Sequence, residues 1–229
     1  GERVRALVFL PAGGAPPYQT VVLFPGSSAI HTASSDGFAA GGLPAFLLKS
    51  GRAVVLPIYK GTYERGTELD SDYPEETIFY KDHVIMWAKD LARTLDYVES
   101  REDLDSTKLA YFGLSWGGAM GANKPAVEGR FACNVLYVAG MLFQRALPEV
   151  DQINYVTRVR QPTLMINGEF DFFFPVETSQ RPMFDLLGTA PEHKRYKFYE
   201  GAHTVPRTVF YAETLAWLDR YLGPVVRAP

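Results

Sequence analysis

The chain is expected to adopt an α/β fold, a mostly parallel twisted sheet with helices on both faces. Three observations carry that expectation. Short apolar runs recur along the sequence and, after the first pair, alternate with helix-like patterns. One run leads directly into a glycine-bracketed serine, Gly113-Leu114-Ser115-Trp116-Gly117. A carboxylate and a histidine then follow two later runs, in that order.

Strand-like runs fall near 3–10, 20–24, 53–57, 108–112, 132–139, 162–167 and 195–199. Residue 1 is Gly and the run to Leu10 already reads as a strand under way. One or more N-terminal strands are therefore expected to be truncated, as in a processed or excised domain. The clearest helix spans about Asp82 to Ser100, with Val84, Trp87, Leu91, Leu95 and Val98 on one face and charges opposite. A last helix, near Pro206 to Tyr221, has Pro206 in its first turn and Gly223 past its end. Two segments break the rhythm: Lys60 to Lys81 is polar, aromatic-rich and poorly periodic, and Met141 to Arg160 has no strong helix. Both leave the C-terminal edge of a strand, where open α/β sheets bind ligands, so both are expected to form the rim of a site. Without repeats or a linker, residues 1–229 read as a single domain.

Composition narrows the function classes. The net charge of −3 is small and mixed in sign, which favours neither nucleic acid nor a membrane surface as partner. No stretch approaches the roughly 18 apolar residues of a membrane span, and no basic segment with an apolar core opens the chain. A soluble protein is expected, with a cytoplasmic location favoured. The single cysteine, Cys133, lies in an apolar run and reads as a core residue. No Cys, His and carboxylate cluster has metal-ligand spacing, so neither metal nor cofactor is expected.

The serine motif supplies the chemistry. A serine in a sharp strand-to-helix turn is held clear of the fold, and the glycines two residues away let the following helix pack close to neighbouring strands. The Trp116 amide then faces the same space near a helix N-terminus. The acid is expected from Gly168-Glu169-Phe170-Asp171, after the run Pro162 to Ile166. Asp171 is the preferred candidate, and Glu169, two residues earlier on the same alternating phase, is its rival. His203, after the run Arg195 to Tyr199 and before the last helix, is the expected base. His83 and His193 read as surface or loop imidazoles, whereas His31, beside a glycine-containing turn, could line the site. The turn Pro25-Gly26-Ser27-Ser28 ends an apolar strand, and its Ser27 amide would join that of Trp116 as an oxyanion hole. Phe172, Phe173 and Phe174 could form an apolar acyl or aryl pocket, with packing beneath the loop as the alternative.

Phe24-Pro25-Gly26, Gly113 to Gly118, Gly168-Glu169-Phe170-Asp171 and Gly201-Ala202-His203 together resemble the α/β-hydrolases, most nearly their dienelactone-hydrolase and prolyl-oligopeptidase-like branch. Pro25 departs from the histidine that many such enzymes carry there. The stretch Tyr59 to Arg65 more loosely resembles hydrolase domains attached to bacterial serine/threonine kinases. The resemblance implies an esterase working through Ser115, His203 and Asp171 on a small-molecule ester, without a cofactor. Two alternatives stay open: a peptidase or amidase using the same triad, and a regulatory or binding domain on a hydrolase scaffold.

Overall fold

The computed structural model describes residues 2–38 and 42–225. Seven strands form one sheet: β1 (Ala6–Phe9), β2 (Tyr18–Phe24), β3 (Ala53–Pro57), β4 (Leu104–Leu114), β5 (Cys133–Tyr137), β6 (Thr163–Gly168) and β7 (Lys194–Tyr199). Their spatial order is β1-β3-β2-β4-β5-β6-β7, with β1 antiparallel to β3 and every other pairing parallel. The central strands are buried along their whole length without alternation, as strands covered on both faces must be. Helices α1 (Leu43–Lys49) and α6 (Arg207–Leu222) cover one face through Phe46, Leu47, Phe210 and Trp217. The other face is covered by α2 (Ile78–Glu99), α3 (Trp116–Met120) and α5 (Arg181–Leu186), through Trp87, Leu91, Trp116, Met120 and Met183. A short α4 (Lys124–Val127) follows α3.

Several boundaries differ from the sequence reading, each for a local reason. The strand expected at 20–24 begins at Tyr18, because Gln19 is buried with its polar groups satisfied. Its amide donates to the carbonyls of Leu222 and Gly223, and its carbonyl accepts from Arg52 Nε. The strand expected at 108–112 runs over Leu104–Leu114, and its polar start is accommodated by a register shift against β2 between Gln19 and Thr20. Helix α2 starts at Ile78, four residues before the sequence reading, because the Thr77 side chain accepts the Tyr80 amide and caps the first turn. That earlier start corrects the reading of His83. It is a buried residue on the inward face, with Nδ1 donating to the Phe79 carbonyl and Nε2 accepting from Thr67 Oγ1. His193 is exposed, in a turn beside the Tyr221 hydroxyl. Cys133 is buried and free, and burial pushes its thiol up to about 12. Among the described residues no helix is long and apolar enough to cross a membrane.

The stretch Tyr59 to Arg65 is a packing device. Tyr59 stacks on Phe24 at 4.1 Å, and Arg65 pairs with Asp90 of α2 at 2.7 Å. Lys124 is more unusual, since its amine is buried beneath α2, donating to the Val84 carbonyl at 2.8 Å, and among the described residues no carboxylate is in contact with it. Desolvation lowers its pKa to about 7. Between that value and the ordinary 10.5, the unfolded chain holds a proton that the folded chain does not. The contribution of Lys124 to stability must therefore rise with pH across this window and be level on either side. Lys124→Met should abolish the rise: urea denaturation of the two proteins at pH 7 and pH 10 should show wild type gaining as much as about 4 kcal/mol relative to the variant. Parallel pH profiles for the two proteins would contradict a neutralised buried lysine.

Candidate active site

The β4–α3 junction brings Ser115 to the C-terminal edge of the sheet. Its backbone has φ 54° and ψ −111°, a conformation that an L-residue adopts only when its surroundings enforce it. The Ser115 amide donates to the Tyr137 carbonyl of β5 at 2.9 Å, and the Gly117 amide donates to the Pro25 carbonyl at 3.0 Å. These two bonds tie the turn to the strands on either side of it. Behind it, the Trp116 indole stands edge-on to Phe24 at 4.9 Å and to Trp87 at 4.8 Å.

Acid and histidine arrive on loops joined to each other. Beyond β6, the Glu169 amide donates to the Tyr199 carbonyl at 2.8 Å and the Phe170 amide to the Gly201 carbonyl at 2.9 Å. The Tyr137 hydroxyl accepts the Val205 amide at 3.2 Å, which fixes the far side of the histidine loop. Asp171 is buried, and its Oδ1 accepts the amides of Phe173 at 2.9 Å and Phe174 at 3.2 Å. Its Oδ2 faces His203 Nδ1 at 2.8 Å, while His203 Nε2 faces Ser115 Oγ at 2.8 Å. With the carboxylate ionised, Nδ1 carries the proton, and Nε2 is left as the acceptor of the serine O–H. Glu169, by contrast, is exposed, and among the described residues it makes no hydrogen bond to His203.

A cavity of about 340 Å³ opens over Ser115. Gly26, Ser27, Ser28, Leu114, Phe173 and His203 stand on its wall. Among the described residues neither the Ser27 nor the Trp116 amide has a backbone acceptor. Of the phenylalanines, Phe173 and Phe174 line the cavity, with rings 4.8 and 5.8 Å from the His203 ring. Phe172 is 70% exposed, packed on Phe173 at 4.1 Å and absent from the wall. His31 is also exposed and off the wall. The sequence reading named no wall residue in the two irregular segments, yet Asp72 and Tyr73 come from the first and Leu142 from the second. No periodicity marks them; only their departure from a strand's C-terminal edge hinted at them.

The arrangement can strip a proton from a hydroxyl, direct that oxygen at an electrophilic carbon and stabilise the resulting anion. Known proteins resemble this chain in sequence and in fold. Residues 82–193, just under half of the chain, match the profile of the family described as platelet-activating factor acetylhydrolase, isoform II. Cutinase 2 of Thermobifida cellulosilytica is 26% identical over 149 residues, 59% of this chain and 51% of that protein. The alignment thus spans about half the length of this curated relative. Among solved structures, a cold-adapted esterase from an Arctic intertidal metagenomic library superposes with a TM-score of 0.71 at 20% identity, covering 96% of this chain and 88% of that one. A Klebsiella pneumoniae protein assigned as a dienelactone hydrolase superposes with a TM-score of 0.74 at 16% identity, covering 96% and 95%. The fold is that of the α/β-hydrolases.

The geometry separates the two candidate acids. Asp171→Asn should slow labelling of the protein by a fluorophosphonate probe by about 10³- to 10⁴-fold, because an amide at that position favours the wrong imidazole tautomer. Glu169→Gln should change the labelling rate less than about threefold. Equal losses, or the reverse order, would assign the acid to Glu169.

Proposed function

We propose that the chain is a serine hydrolase of small-molecule carboxylic esters, working through an acyl-enzyme. The observation that supports this most strongly is the unbroken hydrogen-bonded chain Ser115–His203–Asp171, 2.8 Å at each link, whose first two members stand on the cavity wall. The esterase and cutinase relatives agree with it.

In this reading Ser115 Oγ attacks the ester carbonyl as its proton passes to His203 Nε2. The imidazolium that forms is held by Asp171 Oδ2, itself kept in place by the two amides on Oδ1. The tetrahedral oxyanion is stabilised by the amides of Ser27 and Trp116. As the intermediate collapses, His203 returns the proton to the leaving alkoxide, which departs as the alcohol. Water then repeats the sequence on the acyl-enzyme and frees the acid and Ser115. All these charges develop in a site walled by protein, where fixed dipoles act more strongly than they would in water.

The test is kinetic. Ser115→Ala should lower kcat on p-nitrophenyl esters by about 10⁴-fold or more, since members of such a triad act as a unit. His203→Ala should remove most of the activity as well. A Ser115→Ala protein keeping a tenth of wild-type turnover would refute the assignment. Faster turnover of peptide anilides than of esters would turn the reading toward an amidase.

A further inference from the structure

One acidic residue on the cavity wall takes no part in the steps above. Asp72 is half-buried and shares the wall with Ser115, His203, Tyr73, Phe173 and Leu142. Asp171 is engaged on both oxygens, by two amides and an imidazole. Asp72 differs: among the described residues no Lys or Arg reaches its carboxylate, and the hydrogen bond that holds the charged form comes from its own backbone amide. Burial pushes its carboxyl above the usual carboxylate range, against the pull of the His31 and His203 imidazoles. A carboxylate withdrawn from water without a counter-ion gains from any cation that enters beside it. Tyr73 and Phe173 stand on the same wall, and an aromatic ring in contact with an alkylammonium group favours it over a neutral group of the same shape.

We propose that Asp72, with Tyr73 and Phe173, makes this cavity selective for esters that carry an organic cation, of the alkylammonium class, a few bonds from the scissile carbonyl. The proposal rests on the serine-esterase reading and adds the class of substrate to it. At about 340 Å³ the cavity is small enough for one short substrate to meet Asp72 and Ser115 together. Asp72 is therefore a specificity residue whose effect depends on the substrate's charge.

Pairs of esters with the same shape and different charge test this directly. On the alcohol side the pair is butyrylcholine and 3,3-dimethylbutyl butyrate. On the acyl side it is the p-nitrophenyl esters of 4-(trimethylammonio)butyrate and 5,5-dimethylhexanoate. In at least one pair, wild-type kcat/KM should favour the cationic member about tenfold or more at low salt, and the preference should shrink severalfold in 0.5 M NaCl. Asp72→Asn should reduce that preference at least tenfold, and Asp72→Glu should retain most of it. Because each preference is a ratio within one protein, a general loss of activity in a variant does not imitate the effect. The wild-type ratio and its salt dependence need no variant at all. Turnover of both members without preference, or a preference that survives in Asp72→Asn, would overturn this proposal alone. Absence of both ester turnover and fluorophosphonate labelling would overturn the esterase reading and this proposal with it.

Discussion

Around Ser115 the backbone leaves no room for side chains at two positions. A Cβ at Gly113 would stand 2.1 Å from the Gly117 carbonyl oxygen, and a Cβ at Gly117 would stand 2.1 Å from that of Phe24. Both obstacles are backbone atoms, which cannot swing aside as the end of a long side chain can. This close approach lets β4 turn into α3 within one residue and holds Ser115 at positive φ. The rest of the site is arranged about that point. The β2 turn lies against the Ser115 turn because the Pro25 carbonyl accepts the Gly117 amide. The acid and histidine loops, joined by Phe170 and Gly201, meet the hydroxyl from the other side.

Strain of this kind persists only where packing over-determines it. Here Trp116 is enclosed among Phe24 and Trp87, with Tyr59 stacked on Phe24 and Trp87 Nε1 donating to the Lys60 carbonyl at 2.7 Å. These aromatic residues come from β2, the segment after β3, α2 and the elbow itself, so one cluster couples the nucleophile's turn to four parts of the chain. Of the aromatic residues in 60–81, Tyr80 joins this cluster, edge-on to Trp87 at 5.9 Å, whereas Tyr73 stands on the cavity wall and Tyr63 packs on the other face of the sheet.

Much of this was legible in the sequence because it depends on local chemistry. Strand runs such as Ala53–Pro57 are apolar whatever their neighbours, and a serine between Gly113 and Gly117 constrains the backbone on its own. What escaped depended on partners distant in the chain. Gln19 looks like the polar end of a strand until Arg52 and the end of α6 satisfy it. The first turn of α2 looks like loop until Thr77 is seen to cap it, and with that turn goes the inward position of His83. The three consecutive phenylalanines were ambiguous in principle. Phe173 faces the cavity, Phe174 is buried at its edge and Phe172 faces solvent, and only the turn around Asp171 decides which is which. Asp72 was hidden for a related reason: a carboxylate in a polar segment reads as solvated until the fold brings it to a cavity.

The central claim is that one strained turn presents a hydroxyl, a base and two amides to the same point in space. A crystal structure of the protein treated with a fluorophosphonate tests it most directly. The account predicts phosphorus bonded to Ser115 Oγ, with the phosphonyl oxygen about 2.7–3.1 Å from the amide nitrogens of both Ser27 and Trp116 and the phosphonate alkyl group in the cavity beside Phe173. Phosphorus on another residue, or a phosphonyl oxygen directed away from those two amides, would contradict it.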